Sequence, residues 1–87
     1  MVEIYVKLED FWECKEIERC IKRFFDEDEV CRIVCNPQGY GIRVIIARRH
    51  VVTLFLIIKQ NTYANWLLYN GKKIKIEDKE FERLMTA

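Results

Sequence analysis

Along the first eight residues apolar and polar side chains alternate, with Val2, Ile4, Val6 and Leu8 set against Glu3, Tyr5 and Lys7. That period of two is the signature of a strand with one buried face. From Glu9 to about Phe25 the period changes. Phe11, Cys14, Ile17, Ile21 and Phe24 recur at three- and four-residue spacing, opposite Glu13, Glu16, Glu18, Arg19 and Lys22, which predicts an amphipathic helix. Asp10 is placed to cap it with Glu13 three residues on, and Glu18 precedes Lys22 by the four residues that favour an ion pair.

The acidic cluster Asp26 to Glu29 closes this helix. Val30 to Cys35 then alternates again, with Cys31, Ile33 and Cys35 on one face and Val30, Arg32 and Val34 on the other. Asn36-Pro37-Gln38-Gly39 is a turn by composition. Tyr40 to Ala47 reads as a third strand and Val51 to about Lys59 as a fourth, joined as a hairpin through Arg48-Arg49-His50. Two readings compete for Thr62 to Ile76. The favoured one is a hairpin, Trp66 to Tyr69 and Lys72 to Ile76 about Asn70-Gly71. In the other, Asn61 and Thr62 cap a short helix that ends at Asn70-Gly71. Glu77 onward, with acidic residues first and Phe81, Leu84 and Met85 at helical spacing, predicts a second helix.

The expected fold is therefore α+β: strand, helix, three to five mostly antiparallel strands, helix, with the helices packed on one face of the sheet. This element order resembles one half of the TATA-box-binding-protein fold, a likeness of order alone with no residue motif attached. Composition supports a single domain over 1–87: 51% of residues are apolar, and Gly and Pro together number four. Linked domains, a collagen-like polymer and a disordered acidic chain are excluded on the same grounds.

Charge changes the picture. Fifteen Lys and Arg nearly cancel fourteen Asp and Glu, yet no acid occurs from Val30 to Ile76, where Arg32, Arg43, Arg48, Arg49, Lys59, Lys72, Lys73 and Lys75 lie. The acids crowd into the two ends that read as helical. A basic sheet beside acidic helices is the electrostatic footprint of a surface that meets phosphates. The candidate nucleic-acid contacts are Arg43, Arg48, Arg49, His50, Lys59, Lys72, Lys73 and Lys75, with Tyr40 and Trp66 as stacking groups and Tyr63 and Tyr69 nearby. Arg48-Arg49-His50, at a hairpin tip, is the first choice among them. The competing explanation is that lysines and arginines simply guard strand edges.

A second surface follows from the expected hairpin. Ile42, Val44, Ile46, Val51, Phe55 and Ile57 would face the helices, leaving Ile45, Val52, Leu54, Leu56 and Ile58 on the far face. Burying five such side chains is worth about 8 to 15 kcal/mol in gross terms, so that face is expected to be covered by a homodimer or another protein partner. An assembly module acting through this face is the alternative function to DNA or RNA binding.

Catalytic resources are few. Serine is absent, His50 is the sole imidazole, and Gly39-Tyr40-Gly41 is too short for a phosphate-binding loop, so no enzymatic role, cofactor or small-molecule substrate is expected. Cys14, Cys20, Cys31 and Cys35 follow no zinc-binding spacing. The chain reversal sets Cys14 opposite Cys35 and Cys20 opposite Cys31, which admits one disulfide or leaves plain buried thiols. Absent serine, only two Gln and 33% charged residues resemble proteins of high-temperature organisms, archaea among them, whose intracellular proteins can carry disulfides. The alternating N-terminal residues are unlike a signal peptide, and the Val51 to Ile58 run is far below the roughly 20 residues of a membrane span. A cytoplasmic location without membrane contact is the expectation.

Overall fold

The computed structural model describes residues 1–36, 40–77, 79 and 83. In chain order the elements are β1 (Val2–Lys7), α1 (Phe11–Phe24), β2 (Val30–Asn36), β3 (Gly41–Ile46), a short 3-10 turn (Arg48–His50), α2 (Val51–Asn61), β4 (Trp66–Tyr69) and β5 (Lys72–Lys75). The five strands form one antiparallel sheet in the order β2-β3-β1-β4-β5. β1 thus runs between β3 and β4 and pairs with both. Each helix links two parallel strands that have a third strand inserted between them, so the chain is built from two interlocked split β-α-β units.

Period-two burial assigns the faces. Val2, Ile4 and Val6 of β1, Ile42, Val44 and Ile46 of β3 and Leu67 of β4 are buried, and they form one core with Cys14, Ile17 and Ile21 of α1 and Val51, Leu54, Phe55, Ile57 and Ile58 of α2. Both helices therefore cover the same face of the sheet, as the α+β reading requires. Helix α1 begins as its sequence predicts, with the Asp10 side chain accepting from Glu13 N–H at 2.8 Å. The Asn70-Gly71 turn also forms. Both residues have positive φ, 48° and 83°, the requirement of a type I′ hairpin turn. Asn70 further locks β4 to β1: its amide N–H donates to the Glu3 carbonyl and its Oδ1 accepts from Glu3 N–H, both at 2.8 Å.

One element differs from its sequence reading. Val51 to Lys59 is not the fourth strand of a hairpin but most of helix α2. A continuous apolar run satisfies strand and helix templates alike, and its β-branched residues bias the reading towards a strand. What decides is the core: Val51, Leu54, Phe55 and Ile58 fall on one helical face, and all four are buried. Helix α2 ends where Thr62 Oγ1 and Asn61 Nδ2 donate to the carbonyls of Ile58 and Ile57, each at 2.8 Å. Asn61 and Thr62 thus close a helix rather than open one.

The proposed dimer face dissolves with that strand. Leu54 and Ile58 are fully buried at 0% exposure, Val52 is half-buried against the same core, and Leu56 points outward at 42%. Ile45 stays on the sheet, half-buried on the face away from the helices. These five residues share no surface. The likeness to one half of the TATA-box-binding-protein fold goes too, since α2 interrupts the strand run that carried it. The expected helix containing Phe81, Leu84 and Met85 lies outside the described residues. Among those described, no helix is long and apolar enough to cross a membrane.

Leu54→Ala is expected to cost about 2 to 5 kcal/mol in urea unfolding, and Leu56→Ala about 1 kcal/mol or less. Two residues on one strand face would instead behave alike.

Candidate nucleic-acid interface

The side of the sheet turned away from the helices is set by register. Tyr5 lies opposite Arg43 on β3 and Leu68 on β4, Arg43 opposite Val34 on β2, and Ile45 opposite Glu3 and Arg32. On the outer hairpin Trp66 pairs with Lys75 and Leu68 with Lys73. One face therefore gathers Lys7, Arg32, Arg43, Lys73 and Lys75 around Tyr5 and Trp66, with Val34, Ile45 and Leu68 between them. All five cations are exposed. Glu3 is the single acid in this array, and among the described residues only Arg43 of the five has a carboxylate partner, Glu3 at 3.4 Å. That exposed pair is worth about 0 to 1 kcal/mol and leaves both groups open to other partners.

Cations and rings alternate across this surface. The Arg43 guanidinium carbon lies 5.7 Å from the Tyr5 ring centroid, and Lys73 Nζ lies 4.9 Å from that of Trp66. A cleft of about 290 Å³ beside Tyr5 is lined by Val34, Asn36, Gly41 and Arg43. A second, of about 330 Å³, opens at the end of the sheet between Lys7, Glu9, Tyr40, Tyr63, Asn65 and Trp66. The opposite layer is different in kind. Three of the four bases of α1 are held by its own acids, Lys15 to Glu18 at 3.5 Å, Arg19 to Glu16 at 3.2 Å and Lys22 to Glu18 at 3.8 Å.

Of the residues singled out by sequence, Arg43, Lys73, Lys75 and Trp66 come together on the open face. Tyr40 joins them at the sheet end, held at a φ of 51° while its carbonyl accepts from Leu8 N–H at 2.7 Å. Lys72 lies on the edge strand opposite Tyr69, in the row that faces the helices, and Lys59 sits on α2. Arg48, Arg49 and His50 are not a hairpin tip. They form the turn that enters α2, at the end of the sheet opposite Tyr40 and Trp66. His50 is committed to the helix layer: its ring stands edge-on to Phe25 at 5.5 Å, and its Nε2 lies 3.0 Å from the Glu29 carboxylate. Arg48 and Arg49 are exposed.

Sequence reasoning passed over Tyr5, Lys7 and Gly41, and counted Arg32 only as charge. The signal was available, because Glu3, Tyr5 and Lys7 already formed the polar row of the first strand. Counting charge by segment assigned Lys7 to the acidic end of the chain and so hid it.

Cys14, Cys20 and Cys35 lie on the other side of the sheet. Cys14 is buried, and Cys14, Cys20 and Cys35 are free thiols. Cys14 sits against Cys35 as the chain reversal predicts, and burial, aided by a hydrogen bond with the Cys35 thiol, pushes its pKa up from 9.0 to about 12. The Cys31 side chain lies outside the described residues. Among those described, no cluster of three His, Cys, Asp or Glu is arranged to hold a metal ion.

Because the unfolded chain gives up the Cys14 proton near 9 and the folded chain holds it to about 12, this thiol stabilises the fold below that interval and ceases to do so within it. In reducing buffer, the stability advantage over Cys14→Ala is expected to hold up to about pH 9 and to shrink from there towards pH 12 in urea unfolding; a constant difference would contradict the buried thiol. Comparison with protein families, with curated proteins and with solved structures finds no match for this chain.

Proposed function

We propose that this protein binds nucleic acid through the open face of its sheet. The observation that carries the reading is the array itself: five exposed cations and two aromatic rings on one side, a single acid among them, and the acids of α1 in the opposite layer. Phosphate contacts by Lys and Arg supply sequence-independent affinity through release of counterions, and rings interleaved with cations add contacts to the bases. The rings, cations and amides that line the clefts beside Tyr5 and Trp66 are groups suited to binding a polyanion, which supports binding as the activity of this face.

Arg48 and Arg49 take a secondary place in this reading. They stand at the far end of the sheet, where a strand crossing the face from the Tyr40 end would leave it. The assembly alternative loses the apolar strand face on which it rested, since Leu54 and Ile58 belong to the core.

If all five cations engage phosphates, the logarithm of affinity should fall with the logarithm of salt at a slope of roughly −3.5 for a single strand. In fluorescence anisotropy the variant with Arg43, Lys73 and Lys75 all changed to Ala should lose about 2 from that slope. Absence of binding to any oligonucleotide at about 50 mM salt would overturn the proposal.

A further inference from the structure

We infer that Tyr5 is a base-stacking platform, and that the ligand of the open face is a single-stranded nucleic acid whose bases lie flat on the sheet. The inference rests on the nucleic-acid reading and narrows it. Its basis is the relation between Tyr5 and Gly41. A strand side chain ordinarily stands away from its sheet. Tyr5 instead leans over the neighbouring strand into the space that Gly41 leaves vacant: a Cβ built on Gly41 would lie 2.6 Å from Tyr5 Cζ and 2.7 Å from Cε2. The hydroxyl end of the ring thereby fills the notch over Gly41, and the Arg43 guanidinium lies over the ring, 5.7 Å from its centroid. Such a ring offers a π-face of the kind on which a nucleobase stacks, with a cation next to it for the adjoining phosphate.

Trp66 repeats the pairing of ring and cation. It lies diagonally from Tyr5 across the β1–β4 pair, about 7 to 8 Å away along the sheet, with Lys73 over its ring. Beyond it the cleft between Tyr40 and Tyr63 continues the same path to the end of the sheet, and Tyr63 is 82% exposed there. Successive bases of one strand therefore have successive rings to meet.

A B-form duplex does not admit this face into its major groove. Five strands at about 4.8 Å spacing make a face roughly 19 Å across, wider than the major groove of about 12 Å, which admits only a helix or a two-stranded ribbon. Base faces are also hidden inside a duplex, where the rings could not reach them. An unpaired strand exposes both the faces and the phosphates that this array is built to contact.

The test compares four probes of equal length by fluorescence anisotropy: single-stranded DNA, single-stranded RNA, duplex DNA and a single strand of abasic sites. The abasic strand keeps the phosphates and removes only the bases. Expected is tighter binding of a base-bearing strand, of DNA, RNA or both, by about tenfold or more over the abasic strand and over the duplex. The DNA and RNA arms identify which source of such a strand the face accepts. Tyr5→Ala and Gly41→Val, which removes the space under the ring, should each weaken base-bearing strands by about 5- to 150-fold while changing abasic binding less than about twofold. Tyr5→Phe should retain binding. A ring that served only to cover Gly41 would leave the ratio of base-bearing to abasic affinity unchanged in these variants. Equal affinity of the unaltered protein for base-bearing and abasic strands overturns the inference without recourse to any variant, and leaves the phosphate-binding function standing. Failure to bind any of the four probes removes the function itself.

Discussion

Everything in this fold depends on β1 being the centre of the sheet. Val2, Ile4 and Val6 are buried under both helices, and the same strand pairs with β3 on one side and β4 on the other. Those three side chains contribute about 5 to 9 kcal/mol of gross hydrophobic free energy, comparable to the whole net stability of a small domain. The strand that holds the two split units together also fixes which side of the sheet is wet. Once alternate residues of β1 are committed to the core, Glu3, Tyr5 and Lys7 have nowhere to go but the opposite face, and the neighbouring strands follow in register.

Helix α2 is the second consequence. The inward faces of β1 and β3 are apolar along their whole length, and α1 alone cannot cover a sheet of five strands. The Val51 to Asn61 segment completes the cover by packing a helical stripe whose sequence is apolar almost all the way round. That is why its state was not legible from local pattern. A helix buried on most sides and a strand buried on both faces produce the same run of Val, Leu, Phe and Ile, and only the partner surface distinguishes them. β1, α1, β2, β3 and the Asn70-Gly71 hairpin were legible, because each pairs a periodic pattern with a local signal that has one structural solution: a cap at Asp10, two positive φ angles at Asn70 and Gly71.

The candidate site was legible in part for a related reason. A stretch free of acids names which cations belong together only if every member of the stretch lies in the sheet. Arg48, Arg49 and Lys59 do not, because the 3-10 turn holds the first two and helix α2 the third. Lys7 does, although it lies in the acidic segment of the sequence. Charge counted by segment is thus a poor guide to charge counted by face, while register converts one into the other. Tyr5 went unnoticed because a tyrosine in the polar row of a strand is ordinary. Its meaning comes from Gly41, which is 36 positions further along the chain and cross-strand in space.

Edge protection remains the simplest rival account of the lysines, and the geometry bears on it directly. Lys72, Lys73 and Lys75 all lie on β5, an outer strand whose free edge a row of charge would guard against pairing with another chain. That role asks only that charge be present on the strand. It does not ask for Lys73 over the Trp66 ring, nor for cations two and three strands inward: Lys7 is on the central strand and Arg43 on its neighbour, where no edge exists to defend. Nor does the other outer strand follow the pattern, since β2 carries a single basic residue, Arg32, and a bulge between Val30 and Arg32. A bulge disrupts pairing at an edge without any charge at all. The sheet thus already has a charge-free device at one border, and edge defence accounts for the lysines of β5 but not for the continuation of positive charge across β1 and β3. The open face as a whole, rather than either of its borders, is what the cations have in common.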